Sequence, residues 1–233
     1  MKNNICAVIV AAGSGKRMGA KENKVFLNLF DKPILAYTLE TFQQCKSIDS
    51  IVLVTRECDI GLCQNIISRY NITKTENIVV GGTTRQQSVY NGLNKVCKNT
   101  DIVVIHDGAR ALIEKNQIEE TIKYAKEYGA SAVGVKCKDT LKQIDQNGFI
   151  ANTINREVTY NIQTPQTFKY DIILSAHKKA IEDDFETTDD CAVAEYCGVR
   201  IKLAEGSYDN IKLTTPEDLT VAENILRRRE RLQ

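Results

Sequence analysis

The sequence predicts a single α/β domain built on a doubly wound, mainly parallel sheet, from which a β-hairpin arm projects. Three observations carry this. Short, continuous apolar runs alternate with helix-length amphipathic segments, which is the pattern of βα units stacked side by side. The runs are rich in β-branched residues and lack polar alternation, as strands covered on both faces require. One stretch departs from the rhythm and alternates around an Asn-Gly pair.

The strand candidates are Ile5–Ala11, Ile51–Thr55, Ile78–Val80, Ile102–His106, Ala132–Val135 and Ile201–Ala204. Between and after them lie helical patterns at Pro33–Cys45, Asp59–Tyr70, Thr84–Lys95, Lys115–Tyr128, Asp171–Glu182, Asp189–Tyr196 and Pro216–Arg229. In the first of these Ile34, Leu35, Leu39 and Phe42 mark one apolar face, and Pro33 suits a first turn. The irregular stretch, about 138–156, alternates through Leu141, Gln143 and Asp145, then Phe149, Ala151 and Thr153, on either side of Asn147-Gly148. A two-stranded ribbon is marginally stable alone, so this arm is expected to pack on a second subunit, with packing back on its own domain as the alternative. No repeat, low-complexity stretch or linker divides the 233 residues, and residues 1–233 read as one domain.

Composition narrows the function. Lysine plus arginine number 31 against 30 acidic residues, a net charge of +1, so no overall field favours nucleic acid or an anionic membrane. Anion binding must come from local placement of cations. The longest apolar run, Ile5 to Ala12, is far short of a membrane span. Eight cysteines without a Cys-x-x-Cys pair, beside only two histidines, argue against structural zinc and for free thiols in a reducing cytoplasm.

The chemistry gathers in loops that follow strands. After the first strand comes Ala11-Ala12-Gly13-Ser14-Gly15-Lys16-Arg17-Met18-Gly19, whose small residues allow backbone N–H groups to approach phosphate. Its glycine spacing is neither the dinucleotide fingerprint nor a P-loop. The two cations that follow, Arg17 and Lys24, point to a triphosphate. A second loop, from Gly81 and Gly82 through Arg85 to Ser88, offers backbone to the edge of a base, although Thr84 also reads as a simple helix cap. His106-Asp107-Gly108-Ala109-Arg110 closes the fourth strand, where ligands of open α/β sheets gather. An acidic side chain there suits Mg²⁺. His106 reads as a core histidine without a catalytic role.

Taken in order, AAGSGKRM (11–18), the lysine of NKVFL (23–27), GGTTRQQSV (81–89), HDGAR (106–110), KDTLK (138–142), INRE (154–157), QTPQTF (163–168), TTDDCAVAEYCG (187–198) and DNIKLTTPEDL (209–219) resemble the 2-C-methyl-D-erythritol 4-phosphate cytidylyltransferase family. The resemblance spans residues 11 to 219. It implies a nucleotide-diphospho-sugar transferase-like, Rossmann-like fold, a homodimer joined through the arm, CTP as co-substrate and Mg²⁺ as cofactor. By the same resemblance Arg17, Lys24, Arg156 and Lys212 are the catalytic cations, with Arg156 and Lys212 gripping the sugar phosphate. Arg110, Thr140, Thr164 and Thr188 match positions lining that substrate. Ala11, Ala12, Gly82 and Ser88 match positions around the cytidine, with Gly13, Ser14, Gly15 and Arg85 beside them. Asp107 matches an acidic position near the ribose and metal, and Asp209 is a second metal candidate. The chain departs from the family at Gly108-Ala109-Arg110-Ala111, commonly Ala-Ala-Arg-Pro, and at Asn23-Lys24-Val25, commonly Pro-Lys-Gln.

Three other readings compete. A ribitol 5-phosphate cytidylyltransferase would share the fold, the loop and the arm. A dinucleotide-dependent oxidoreductase is disfavoured by the glycine spacing and by cations spread over several loops. A nucleotide sensor without catalysis is a third possibility on the same fold.

Overall fold

The computed structural model describes residues 4–13 and 23–231. Seven strands form one sheet in the order β11-β7-β10-β6-β1-β4-β5. β1 (Ile5–Val10) is central, flanked by β4 (Ser50–Thr55) and β6 (Ile102–Asp107), and β5 (Thr75–Val80) lies beyond β4. All of these pair in parallel. The pleat divides β1 between two cores: Ile5, Ala7 and Ile9 face one, Cys6 and Val8 the other. The first face packs on α1 (Ile34–Gln44), α2 (Ile60–Arg69) and α4 (Lys115–Tyr128) through Leu35, Leu39, Phe42, Cys63, Ile66, Ile118 and Ile122. The second packs on α3 (Arg85–Leu93), α5 (Tyr170–Glu182) and α6 (Asp190–Tyr196) through Val89, Leu93, Ile173 and Ala194. Burial on both sides is why the strands read as unbroken apolar runs.

One strand of the main sheet was not among the expected ones. β10 (Tyr160–Lys169) inserts antiparallel between β6 and β7 (Ala130–Lys136). Most of its buried residues are polar: Gln163, Thr164, Gln166 and Thr167 are buried and hydrogen-bonded beside Phe168, so no apolar run announces it. The outer edge is β11 (Lys202–Glu205), parallel to β7. The remaining helix, α7 (Pro216–Glu230), begins at a capping box in which Thr215 and Asp218 satisfy one another's backbone N–H groups. β2 (Asn28–Leu29) and β3 (Lys32–Pro33) make a small hairpin ahead of α1.

The arm forms as expected. β8 (Lys142–Ile144) pairs with β9 (Ile150–Thr153) in a separate two-stranded sheet. The Asp145 carboxylate accepts from the N–H groups of Asn147 and Phe149, both at 2.9 Å, and Gly148 takes the left-handed conformation (φ 86°) that the bulged turn demands. Every residue of both strands is exposed, including Ile144 and Ile150, and so are Phe149 at the tip and Val158 at the base.

Candidate active site

A cavity of about 630 Å³ opens at the carboxyl ends of β1, β4, β5 and β6, the edge at which doubly wound sheets bind ligands. Its walls come from segments far apart in sequence: Ala11, Ala12 and Gly13 after β1, Lys24, Arg56 after β4, Gly82 to Arg85 and Ser88, Asp107 at the end of β6, and Lys212 with Thr214 ahead of α7.

The glycine loops are shaped by close approach. Ala11 N–H donates to Val54 O at 2.7 Å, and Gly81 N–H donates to Thr55 O at 2.8 Å, so both loops hang from β4. A side chain at Gly81 would meet Ala12 Cβ at 2.5 Å, which is why a glycine stands there. Ser88 Oγ accepts from Gly82 N–H at 3.0 Å and donates to Thr84 O at 2.8 Å, fixing the turn that precedes α3. Thr84 does cap α3, its hydroxyl accepting from Gln87 N–H.

Asp107 is the electrostatic centre of this rim. Lys212 Nζ lies 2.7 Å from its Oδ2, Arg85 Nε lies 3.1 Å from its Oδ1, and Arg110 Nε stands 3.9 Å away. Burial alone would push the carboxyl up, but Arg85, Lys212 and Arg110 together hold it well below the usual carboxylate range. Arg85 is itself gripped from behind, where its Nη1 donates to Asp190 Oδ2 at 2.8 Å. Asp190 is fully buried and also meets His177 Nε2 at 3.2 Å.

Lys212 is aimed by its backbone neighbours. Leu213 N–H donates to Ala109 O, and the buried Asn210 amide donates to Thr164 O and Gln163 Oε1. Arg110 Nη1 donates to Asn210 O at 2.7 Å. These bonds staple the segment before α7 to the loop after β6 and to β10.

The sequence-derived residues divide clearly. Lys24, Lys212, Asp107, Ala11, Ala12, Gly13, Gly82, Arg85 and Ser88 all line the one cavity. Ser14, Gly15 and Arg17 lie outside the described residues. Thr164 sits behind the rim: its buried hydroxyl accepts from Asp107 N–H at 3.0 Å and donates to His106 Nδ1 at 3.0 Å. Arg110 braces Asp107 and Asn210 from beside the cavity. Asp209 faces α7, paired with Arg228 and with Arg229. Thr188 is exposed just before the cap of α6. Thr140 and Arg156 are exposed at the two ends of the arm, Arg156 paired only loosely with its neighbour Glu157 at 3.8 Å. His106 is the core histidine expected, with its Nε2 against Arg110 O, and desolvation lowers its pKa to about 3. Four contributors were missed. Asp190 stood within a quoted motif, Asn23 within a noted departure, and Thr214 beside Lys212, whereas Arg56 carries no local signal at all.

A model of the 2-C-methyl-D-erythritol 4-phosphate cytidylyltransferase family (IspD) matches residues 5–228. The chain belongs to this family. It is 56% identical over 222 residues to the 2-C-methyl-D-erythritol 4-phosphate cytidylyltransferase of Clostridium novyi (strain NT), covering 95% of this chain and 96% of that protein. It is 51% identical over 225 residues to the enzyme of the same name from Clostridium botulinum (strain ATCC 19397 / Type A), covering 97% of each. Among solved structures it matches 4-diphosphocytidyl-2C-methyl-D-erythritol synthase from Anaerococcus prevotii DSM 20548 with a TM-score of 0.87 at 34% identity over 97% of both chains. The Francisella tularensis member of the family superposes with a TM-score of 0.80 at 28% identity. The family's fold, a mostly parallel sheet of nucleotide-diphospho-sugar transferase type, is therefore this chain's fold.

Proposed function

We propose that the chain transfers the cytidylyl group of CTP to 2-C-methyl-D-erythritol 4-phosphate, forming 4-diphosphocytidyl-2-C-methyl-D-erythritol and pyrophosphate for non-mevalonate isoprenoid biosynthesis. The observation that carries this reading is the meeting of Lys24 and Lys212 in one cavity between glycine-rich loops, although 188 positions separate them. Membership of the family supplies the identity of the substrates.

In this reaction a phosphate oxygen of the sugar phosphate attacks the α-phosphorus of CTP, and the bond to the β-phosphate oxygen breaks. The attacking oxygen is already anionic, so no general base is needed, in keeping with a His106 that stays neutral and enclosed. The difficulty is holding two polyanions in line. Lys24, together with Arg17, meets charge growing on the α-phosphoryl group and the leaving pyrophosphate. Lys212 grips the sugar phosphate, for which it must exchange its bond to Asp107. Small residues at Ala11, Ala12, Gly13 and Gly82 leave room for the base, with Ser88 and Arg85 lining the same cavity.

Asp107 fits a Mg²⁺ ligand: it is an ionised carboxylate on the cavity wall, and Mg²⁺ suits one or two carboxylates plus phosphate oxygens. Bound there, the metal would offset phosphate charge. Asp209 does not line the cavity and faces α7, paired with Arg228 and Arg229, which makes it the poorer candidate.

The arm supports a homodimer. Ile144, Phe149, Ile150 and Val158 expose apolar surface on a ribbon that has no core of its own, Val158 at 75%. Arg156 and Thr140, at the ends of that ribbon, would then complete the partner's sugar-phosphate site. No helix among the described residues is long and apolar enough to cross a membrane. We place the enzyme in the cytoplasm, where its eight free thiols remain reduced.

Pyrophosphate release measured over four nucleoside triphosphates, each with methylerythritol and ribitol phosphates, tests the reading. Release with CTP and methylerythritol phosphate is expected. Preference for the ribitol ester would replace the substrate assignment, and no release with any pair would contradict catalysis.

A further inference from the structure

Arg56 lines the cavity directly after β4, between the two glycine loops that hang from that strand. Its Nε and Nη2 bind the Asp59 carboxylate at 2.6 and 2.9 Å, a two-pronged contact that fixes the guanidinium plane. Among the described residues its Nη1 has no partner. Asp59 is buried, and it takes a third bond from Asn23 Nδ2 at 3.2 Å. Burial alone would raise the Asp59 carboxyl, but the bonds from Arg56 and Asn23 hold it below its usual range.

Asn23 is the hinge of this cluster. It is 1% exposed; its amide nitrogen also donates to Ala11 O at 2.7 Å, and its Oδ1 accepts from Val25 N–H as the cap of the short helical turn that carries Lys24. A proline, common at this position in the family, could make none of these side-chain bonds. The end of β1, the Lys24 turn and the start of α2 are thus tied through one buried amide and one buried carboxylate.

We propose that Arg56 is a further nucleotide-binding residue of this site, and that Asn23 and Asp59 are positioning residues locking Arg56 and the Lys24 turn into one unit. Arg56 offers its free nitrogen to the polyphosphate of the nucleotide. It follows β4, two strands away from β6, and stands between the glycine loops, which assigns it to the nucleotide rather than the sugar phosphate. The assignment rests on the cytidylyltransferase reading for its nucleotide, but polyphosphate binding by Arg56 can be measured apart from turnover.

The test is calorimetric titration of CTP and of inorganic tripolyphosphate into wild type, Arg56→Gln and Arg56→Lys, with steady-state kinetics beside it. Arg56→Gln should bind both ligands about tenfold more weakly and Arg56→Lys should fall between, as expected for loss of one charge-assisted hydrogen bond. The Michaelis constant for the sugar phosphate should stay unchanged. Equal affinities for wild type and Arg56→Gln, or an equal rise in both Michaelis constants, would overturn the assignment. Asn23→Ala should lower kcat at least tenfold at saturating CTP and weaken CTP binding by less than Arg56→Gln does, because the Arg56–Asp59 pair remains, and an unchanged kcat would overturn the link to Lys24. If wild type binds tripolyphosphate through Arg56 but makes no pyrophosphate from CTP, the reaction assignment fails and the Arg56 assignment stands.

Discussion

The rim of the cavity and the hairpin arm both carry cations that we propose meet anionic ligands, yet they are built in opposite ways. On the rim each charge is braced inside the chain: Asp107 joins Lys212 and Arg85, and Arg85 reaches back to Asp190. On the arm Arg156 is 58% exposed and, among the described residues, is paired with the still more exposed Glu157. Such a surface pair contributes little and orients nothing. The rim is therefore preorganised by one subunit, whereas the arm's groups acquire a fixed direction only when a second surface covers them. Catalysis of the type proposed needs both the fixed dipoles and the closing piece.

The largest effect should come from the rim. Lys24→Ala is expected to remove roughly 3 kcal/mol of transition-state stabilisation, about a hundredfold in kcat at saturating substrates, as for loss of a preorganised oxyanion donor. A change confined to the Michaelis constants in pyrophosphate-release assays would show that Lys24 binds without catalysing. Next comes the arm as a whole. The double variant Phe149→Asp, Val158→Asp should sediment as a monomer and lose about tenfold or more of its activity, while its melting temperature at high dilution matches wild type, because both side chains are exposed in their own subunit. A fully active monomer would reduce the arm to decoration.

Arg156→Ala should then raise the Michaelis constant for the sugar phosphate about tenfold and leave that for CTP alone, consistent with loss of a charged phosphate contact. Equal effects on both substrates would erase the distinction between the two regions. The smallest effect concerns stability beneath the rim. His106 is held neutral, its pKa near 3 against an ordinary 6.5, so below pH 6.5 the unfolded chain binds a proton that the folded chain refuses. Unfolding free energy should therefore fall as pH drops from 6.5 toward 3, by up to roughly 1.4 kcal/mol per pH unit from this group. Urea titrations should show a shallower fall for His106→Asn, and an identical slope would contradict the buried neutral histidine.

How much of this was legible depended on whether a function left a local pattern. The parallel strands and their helices were readable because burial on both faces enforces apolar runs, and the arm because Asn147-Gly148 interrupts an alternating stretch. β10 was not, since most of its buried positions are glutamine and threonine that earn their place by hydrogen bonds formed only after folding. Asp107 was legible at a strand end, Arg85 within a glycine-rich loop and Lys24 as a cation downstream of one, whereas Lys212 came from the family resemblance alone. Thr164 was selected from its motif for a substrate role, whereas its hydroxyl is occupied by Asp107 and His106. Arg56 and Asp190 escaped because their roles arise from partners brought close by the sheet: Arg85 is 105 positions from Asp190, and Asp59 is 36 positions from Asn23.

The central claim is that one subunit's rim and another subunit's arm together hold the two anions. Co-expressing Lys24→Ala and Arg156→Ala chains under separate tags, purifying the mixed dimer, and assaying it at limiting sugar phosphate tests this directly. If the arm reaches across, each mixed dimer contains one site with both cations and one with neither, and should show about half the wild-type activity per dimer. If the mixed dimer is no more active than the average of its two parent variants, Lys24 and Arg156 serve the same subunit's site, and the account is contradicted.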